Sequence, residues 1–325
     1  MDEALIGGLL ASTLRVSTPL ILGALAALLI ERSGVIDLGL EGKMLLSAFA
    51  AGAAGAFTGS LPLALLAALA VGLALSMVHG YACVSHSGDQ VVLGMALSMI
   101  AAGLSIVLVI AWFKQGGQTP PLPDAVRLTP WFTGLASALQ DTPVVGQIVA
   151  GGLLGHNGLV YGALALVPAL WWLLYRTRIG LRLRATGENP AMVDAAGLSV
   201  KALRYGALAG NGLLCGLAGS YLALGQNANF VPNMTAGRGY MALAAMIFGK
   251  WHPVGALLAC LLFGFLDAVA IRLQGVNLPG ALGGGAVPVQ AIQALPYLMT
   301  VVLLAGFIGR SRAPAALGVA YVKER

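Results

Sequence analysis

Charge is scarce in this chain. Only 9% of its 325 residues are Asp, Glu, Lys or Arg, while 58% are apolar. An ordinary globular protein carries about 25% charged residues, so a soluble fold of this size could not cover its surface. Disorder is excluded as well, because it needs low hydrophobicity. The ten-residue alternating segments of a membrane β-barrel are missing; the apolar runs are long and continuous. Cysteine is rare, and Cys83, Cys215 and Cys260 lie in or beside apolar runs. An odd number without framework spacing argues against disulfides and a zinc site, so these are expected to be small packing residues. No Gly-x-x-x-x-Gly-Lys-[Ser/Thr] occurs, and the chain therefore has no phosphate loop of its own. His79, His86, His156 and His252 are scattered, with no His-Glu-x-x-His pairing. There is no convincing nucleophile motif. Neither a catalytic set nor a metal site is expected.

What is present is a set of long apolar runs, which predicts an all-α, multi-pass membrane protein. A helix needs about 20 apolar residues to cross the hydrocarbon core. Candidate spans are 5–30, 44–58, 61–83, 91–111, 158–175, 205–224, 253–273 and 289–309, with a short apolar segment at 240–249. That gives about eight to ten transmembrane helices in one domain over 1–325, some broken by Gly or Pro, as at Pro19, Pro62, Pro168, Pro253 and Pro296. The first residues, Met1-Asp2-Glu3, lack the basic start of a cleavable signal, so the first run is expected to be retained as a helix. Within 205–224, Gly206/Gly210 and Gly212/Gly216 have the Gly-x-x-x-Gly spacing of closely packed membrane helices.

The net charge, 18 − 12 = +6, reads as loop charge that sets topology rather than as a nucleic-acid surface. If 31–43, 84–90, 176–204, 250–252 and 310–325 are cytoplasmic, thirteen of the 18 basic residues are inside. Arg15, Lys114, Arg127, Arg238 and Arg272 are then outside. This places the N-terminus outside and the C-terminus inside, provided that 240–249 belongs to a crossing. The Pro-rich stretch 112–157 is expected to be extracytoplasmic, with one short interfacial or re-entrant piece near 131–151.

The basic loop 176–204 carries helix punctuation. Asn189 is a good N-cap and Pro190 fits the first helical position; Gly197 is a natural left-handed stop. A helix this short is unstable alone. It needs a surface to pack on, and Met192, Val193, Ala195 and Ala196 offer small apolar contacts. An ordinary membrane-surface helix would read the same way.

Gly42-Lys43-Met44-Leu45-Leu46-Ser47-Ala48 resembles Gly239-Tyr240-Met241-Ala242-Leu243-Ala244-Ala245, and in the topology above the two copies run in opposite directions. Interrupted segments at corresponding places in two halves point to a transporter's binding path. Polar residues cluster at both breaks: Glu31, Asp37 and Glu41 at the first, Gln226, Asn227 and Asn229 before the second. Polar groups at membrane depth are costly unless paired or wetted. The expected substrate path is therefore Asp37, Glu41, Asn227, Asn229 and Met241, although an ordinary cytoplasmic turn would equally account for Asp37 and Glu41. Broken helices in an inverted repeat suit an ATP-driven importer and an ion-coupled secondary transporter alike. The capped cytoplasmic helix favours the first, because an ion-coupled carrier needs no ATPase dock.

The run Phe230-Val231-Pro232-Asn233-Met234-Thr235-Ala236-Gly237-Arg238-Gly239-Tyr240-Met241-Ala242-Leu243-Ala244-Ala245, continuing Met246-Ile247-Phe248-Gly249-Lys250-Trp251, resembles a signature of ABC-importer permeases for nucleosides and related simple sugars. Ser33-Gly34-Val35-Ile36-Asp37-Leu38-Gly39-Leu40-Glu41-Gly42 resembles the first-half motif of the same family. Gly187-Glu188-Asn189-Pro190 with Ala195-Ala196-Gly197 resembles its ATPase-docking loop. The likeness covers about 14–310. It implies a multi-pass subunit of the cell (inner) membrane that is not itself an enzyme. Its partners would be a second permease, a paralogue forming a heterodimer, a cytoplasmic ABC ATPase that holds ATP and Mg, and an extracytoplasmic substrate-binding protein. Membrane lipid surrounds it, no nucleic acid is involved, and no cofactor sits on this chain. The same likeness assigns ATPase coupling to Glu188, Asn189, Pro190, Met192, Val193, Ala195, Ala196 and Gly197.

Overall fold

The computed structural model describes residues 3–114, 116–139, 145–273 and 312–323, with the isolated positions 294 and 298. The predicted span 289–309 apart from positions 294 and 298, with Pro296 and Arg310, lies outside the described residues. Twelve α-helices occur among the described residues: α1 Glu3–Glu31, α2 Leu40–Thr58, α3 Leu61–Gly80, α4 Gln90–Phe113, α5 Thr133–Leu139, α6 Val145–Gly152, α7 Gly158–Arg176, α8 Arg178–Glu188, α9 Pro190–Ala195, α10 Val200–Ser220, α11 Arg238–Phe248 and α12 Pro253–Leu273. Short π-helical turns extend α3 over Tyr81–Ser85 and α10 over Tyr221–Gln226. Six helices among the described residues are long and apolar enough to cross a membrane. The predicted span at 44–58 is α2, which begins four residues earlier and carries Glu41 and Lys43 inside its first two turns.

Helix starts follow local chemistry. Asp89 accepts from the N–H groups of Val91 and Val92, Asn157 from Val160, Thr177 from Gly180, and Ser199 from Ala202. Each satisfies donors that a helix N-terminus leaves open.

α1 and α10 form the centre and are largely buried, whereas α3, α4 and α7 expose most of their surface. Glycines on three faces of α10 select its neighbours. Gly212 and Gly216 meet Gly72 and Leu69 of α3, Gly219 meets Met44 and Ala48 of α2, and Gly210 meets Leu29 of α1. In membranes such close approach supplies the packing that hydrophobicity cannot. Gly206, the other half of one predicted pair, has nothing within 4 Å of where its Cβ would be.

α12 runs antiparallel to α1: Trp251 sits at Glu31, Gly264 at Ser17, and Arg272 at Gly8. The loops assigned to the cytoplasm gather at one end of the bundle. Gln90 accepts from the Ile36 N–H (2.7 Å), Arg32 donates to the Trp251 carbonyl, Gly187 packs on Arg32, and Ala316 N–H donates to Gly187 O (2.8 Å). The opposite end collects 119–130, 152–157 and 225–230: Leu122 N–H donates to Ala228 O (2.7 Å), Leu128 N–H to Leu224 O (3.0 Å), and Gly152 packs on Leu10. Where one short piece was expected near 131–151, two helices form, α5 and α6.

The stretch 227–248 makes one interrupted descent between these ends. Phe230 lies beside Gly52 of α2 and Gly239 beside Glu41. Eleven residues of α2 at 1.5 Å each separate those levels by about 16 Å, and the chain covers most of that drop without regular structure before α11 begins. Two basic residues stand at the breaks themselves. Arg238 opens α11 beside Glu41, and Lys43 is fully buried.

Candidate functional site

α2 and α11 start at the same place and run in opposite directions. Glu41, in the first turn of α2, accepts from Gly237 N–H through Oε1 (2.8 Å) and from Gly239 N–H through Oε2 (2.7 Å). One carboxylate thus lies at two helix N-termini, where negative charge is stabilised by both dipoles. Gly239 makes the approach possible, since a Cβ there would come within 2.6 Å of the Glu41 backbone. Gly237 takes φ +79°, which its lack of a side chain permits. The two repeat copies meet at this junction.

Asp37 has a different setting. It is fully buried, and Oδ2 pairs with Lys43 Nζ at 2.7 Å while Oδ1 lies 3.3 Å from His79 Nδ1. The Lys43 ammonium also donates to Asn211 Oδ1 at 2.9 Å, with Ser76 Oγ at 3.4 Å and His79 Nδ1 at 3.2 Å. Asn211 Nδ2 donates in turn to Ala26 O (3.1 Å), and Ser76 Oγ to Leu208 O (2.6 Å). The network ties the first break to α1, α3 and α10. It leaves Asp37 with no solvent exposure.

The other predicted path residues spread along the interrupted descent. Asn227 is exposed, Asn229 and Met241 are half-buried, and Glu41 is half-buried. Met241 joins Glu41 at the junction; Asn227 and Asn229 stand at the far end, beside Leu122 and Thr119. Lys43, His79 and Ser76 were not singled out from sequence for this site. A lysine buried in a Gly-Ala-rich helix next to a break was the available signal.

At the end of the bundle where Arg32 and Gly187 meet, a second anchor holds α11. Trp251 Nε1 donates to Glu31 Oε2 at 2.7 Å, and Arg32 donates twice to Trp251 O, at 2.9 and 2.6 Å. Lys250 and Trp251 adopt φ +55° and +52°, left-handed conformations that cost non-glycine residues energy. Burial, and after it the charge of Arg32, lowers the pKa of His252 below its ordinary value.

The loop 176–204 carries a helix capped as its punctuation predicts. Asn189 Oδ1 accepts from Met192 N–H (3.1 Å), Pro190 opens α9, and Gly197 stops it at φ +78°. Leu198 N–H returns to Val193 O (3.2 Å) and Gly197 N–H to Asp194 O (2.9 Å), a closure of the type that ends helices in a left-handed residue. Met192, Ala195, Ala196 and Gly197 face outward, whereas Val193 is buried against the protein. Val193 therefore anchors α9 rather than contributing outer surface. Glu188 is exposed, and its Oε2 accepts from Ala315 N–H (3.3 Å).

Broken helices meeting inside a helical bundle, with a capped helix presented at one end, define a membrane transport scaffold. The sequence comparisons place it more closely. The chain belongs to the branched-chain amino acid transport system permease component family, whose model matches residues 9–307. It is 38% identical over 320 residues to the guanosine ABC transporter permease protein NupQ of Bacillus subtilis, covering 97% of this chain and 96% of that protein. It is 35% identical over 325 residues to the nucleoside ABC transporter permease protein NupC of Lactococcus lactis, covering 98% and 97%. A second guanosine permease protein of Bacillus subtilis, NupP, is 29% identical over 267 residues, covering 80% of this chain and 73% of its own length. Both Bacillus subtilis relatives are named as guanosine ABC transporter permease proteins. The chain is a multi-pass permease of the cell membrane.

Proposed function

We propose that this permease carries nucleosides, or a related simple sugar, inward as one half of a heterodimeric ABC importer. A paralogous permease supplies the other half, a cytoplasmic ATPase binds ATP and Mg and performs the hydrolysis, and an extracytoplasmic binding protein delivers the solute. This chain has no cofactor and no catalytic role of its own. The observation that carries the reading is α9, a capped six-residue helix with Met192, Ala195 and Ala196 turned outward at the end opposite 112–157. We assign that end to the cytoplasm and α9 to the ATPase groove, with Glu188, Asn189, Pro190 and Gly197 fixing its ends and Val193 its base.

The path runs along the interrupted descent, past Asn227 and Asn229 to Met241 and Glu41, with Asp37 as buried support. Irregular backbone at membrane depth has to be covered by protein or line a wet cavity; 227–237 combines irregular backbone with the outward-facing side chains Asn227, Val231 and Asn233. A neutral nucleoside offers hydroxyls and a ring, which amides and apolar contacts bind without a counter-charge. Vesicles holding the assembled complex, assayed for uptake of labelled nucleoside and of ribose, test both parts. Glu41→Gln places an amide donor against a backbone N–H and should lower uptake at least tenfold while leaving ATPase attachment intact. Ala196→Arg should release the ATPase. Full ATPase attachment with Ala196→Arg would return α9 to a surface helix and favour the secondary-transporter reading.

A further inference from the structure

The segment 312–323 lies across the proposed dock and touches every element that meets there. Ala316 N–H donates to Gly187 O (2.8 Å) at the end of α8, and Gly318 N–H donates to Gly34 O (3.1 Å) in the first break. Ala315 N–H donates to Glu188 Oε2 (3.3 Å), and Lys323 Nζ lies 3.3 Å from Asp194 Oδ1 of α9. Arg204 of α10 is buried beneath, its Nε donating to Ser33 O (3.3 Å) and its Nη2 to Val319 O (3.2 Å). Gly34 at φ +89° lets these backbones close up, since a Cβ there would meet Ala316 O at 3.1 Å and Gly187 Cα at 3.4 Å. A cavity of about 370 Å³ separates the segment from the end of α9, between Gly197, Lys201, Tyr321 and Lys323. Val319 and Val322 are 54% and 70% exposed, and Met192 of α9 is 69% exposed at the same end.

We propose that 312–323 is the second half of the ATPase dock: the ATPase seats on α9 and on this segment together, covering Val319 and Val322. The inference rests on α9 being the coupling helix and extends that surface. Through Gly34, Arg204 and Gly187 the segment joins the dock to the first break, so an ATPase that moves it pulls on the turn holding Asp37. Its backbone hydrogen bonds supply the attachment; the Lys323–Asp194 pair is solvated and adds little.

The test uses single cysteines in a Cys83→Ala, Cys215→Ala, Cys260→Ala background, in inside-out vesicles carrying the permease pair with or without its ATPase. Val322→Cys and Ala195→Cys should both react with a maleimide when the ATPase is absent, and both should react at least tenfold more slowly when it is present. Protection of Ala195→Cys without protection of Val322→Cys overturns the two-part dock and leaves the α9 reading standing. Loss of protection at both overturns the α9 reading itself. A Val322→Cys that fails to react in either vesicle is covered by lipid or by its own chain, which also overturns the proposal. Val319→Asp with Val322→Asp should lower co-purified ATPase at least tenfold at unchanged permease level; full recovery would count against the second contact.

Discussion

Lys43 is closed off from solvent. Its ammonium is fully buried and offers three N–H groups, which Asp37, Asn211 and the Ser76–His79 pair absorb. A buried ion pair is weak support for stability while intact, but removing one member strands the other charge at a cost of about 3–5 kcal/mol. Lys43→Met should therefore lower the thermal unfolding temperature of the purified permease pair sharply, read by static light scattering. Lys43→Met with Asp37→Asn removes both charges and should regain most of the loss. Equal loss in the single and double variants would mean that the pair is not the stabilising unit. None of this partnership is legible along the chain. Lys43 meets residues 6, 33, 36 and 168 positions away, and no local pattern encodes which helices bring them together. Asn189 is the contrast: its cap acts within three residues, so its role can be read from Asn189-Pro190 and Gly197 alone.

Among the elements, α2 and α11 depend on each other. Each begins after a glycine, Gly39 and Gly237, whose missing side chain provides no cap. Glu41 supplies for α11 what a capping residue would have done. Gly239→Ala puts a Cβ within 2.6 Å of the Glu41 backbone and has to push the two helix starts apart, a crowding cost of about 1–3 kcal/mol. Uptake should fall at least tenfold, while Gly206→Ala, with open space around it, should leave uptake within a factor of two. Equal uptake in the two variants would separate the junction from transport. The repeat in the sequence pointed to this junction. That the copies touch, and through one carboxylate, is set by tertiary packing, in which Gly23 of α1 lies against both Met44 and Ala242.

For the whole molecule, the arrangement of loops at two ends predicts sidedness. In intact cells an impermeant maleimide should label Ser137→Cys in the 112–157 segment and leave Ala195→Cys on α9 untouched; in inside-out vesicles the pattern should reverse. Labelling of Ala195→Cys from outside would invert the topology and remove α9 from the ATPase. Of the thirteen-to-five division of basic residues, Lys43 and Arg238 stand out by their place at the two breaks. One is buried and paired with Asp37, and the other opens α11.

Hydrophobic run length, Gly and Pro breaks and capping residues act over a single helix or less. Those properties by themselves determined a multi-pass helical membrane protein, most helix ends, and the short capped helix 190–195. Tertiary structure alone decided that Asp37 turns into a buried network, that Glu41 closes the second break, that Val193 faces inward, and that 312–323 reaches back to Gly34 and Gly187. Each of these depends on which helix faces meet. In an interior this uniformly apolar, that choice is made by the match of small-residue surfaces and by where a costly polar group finds its partner.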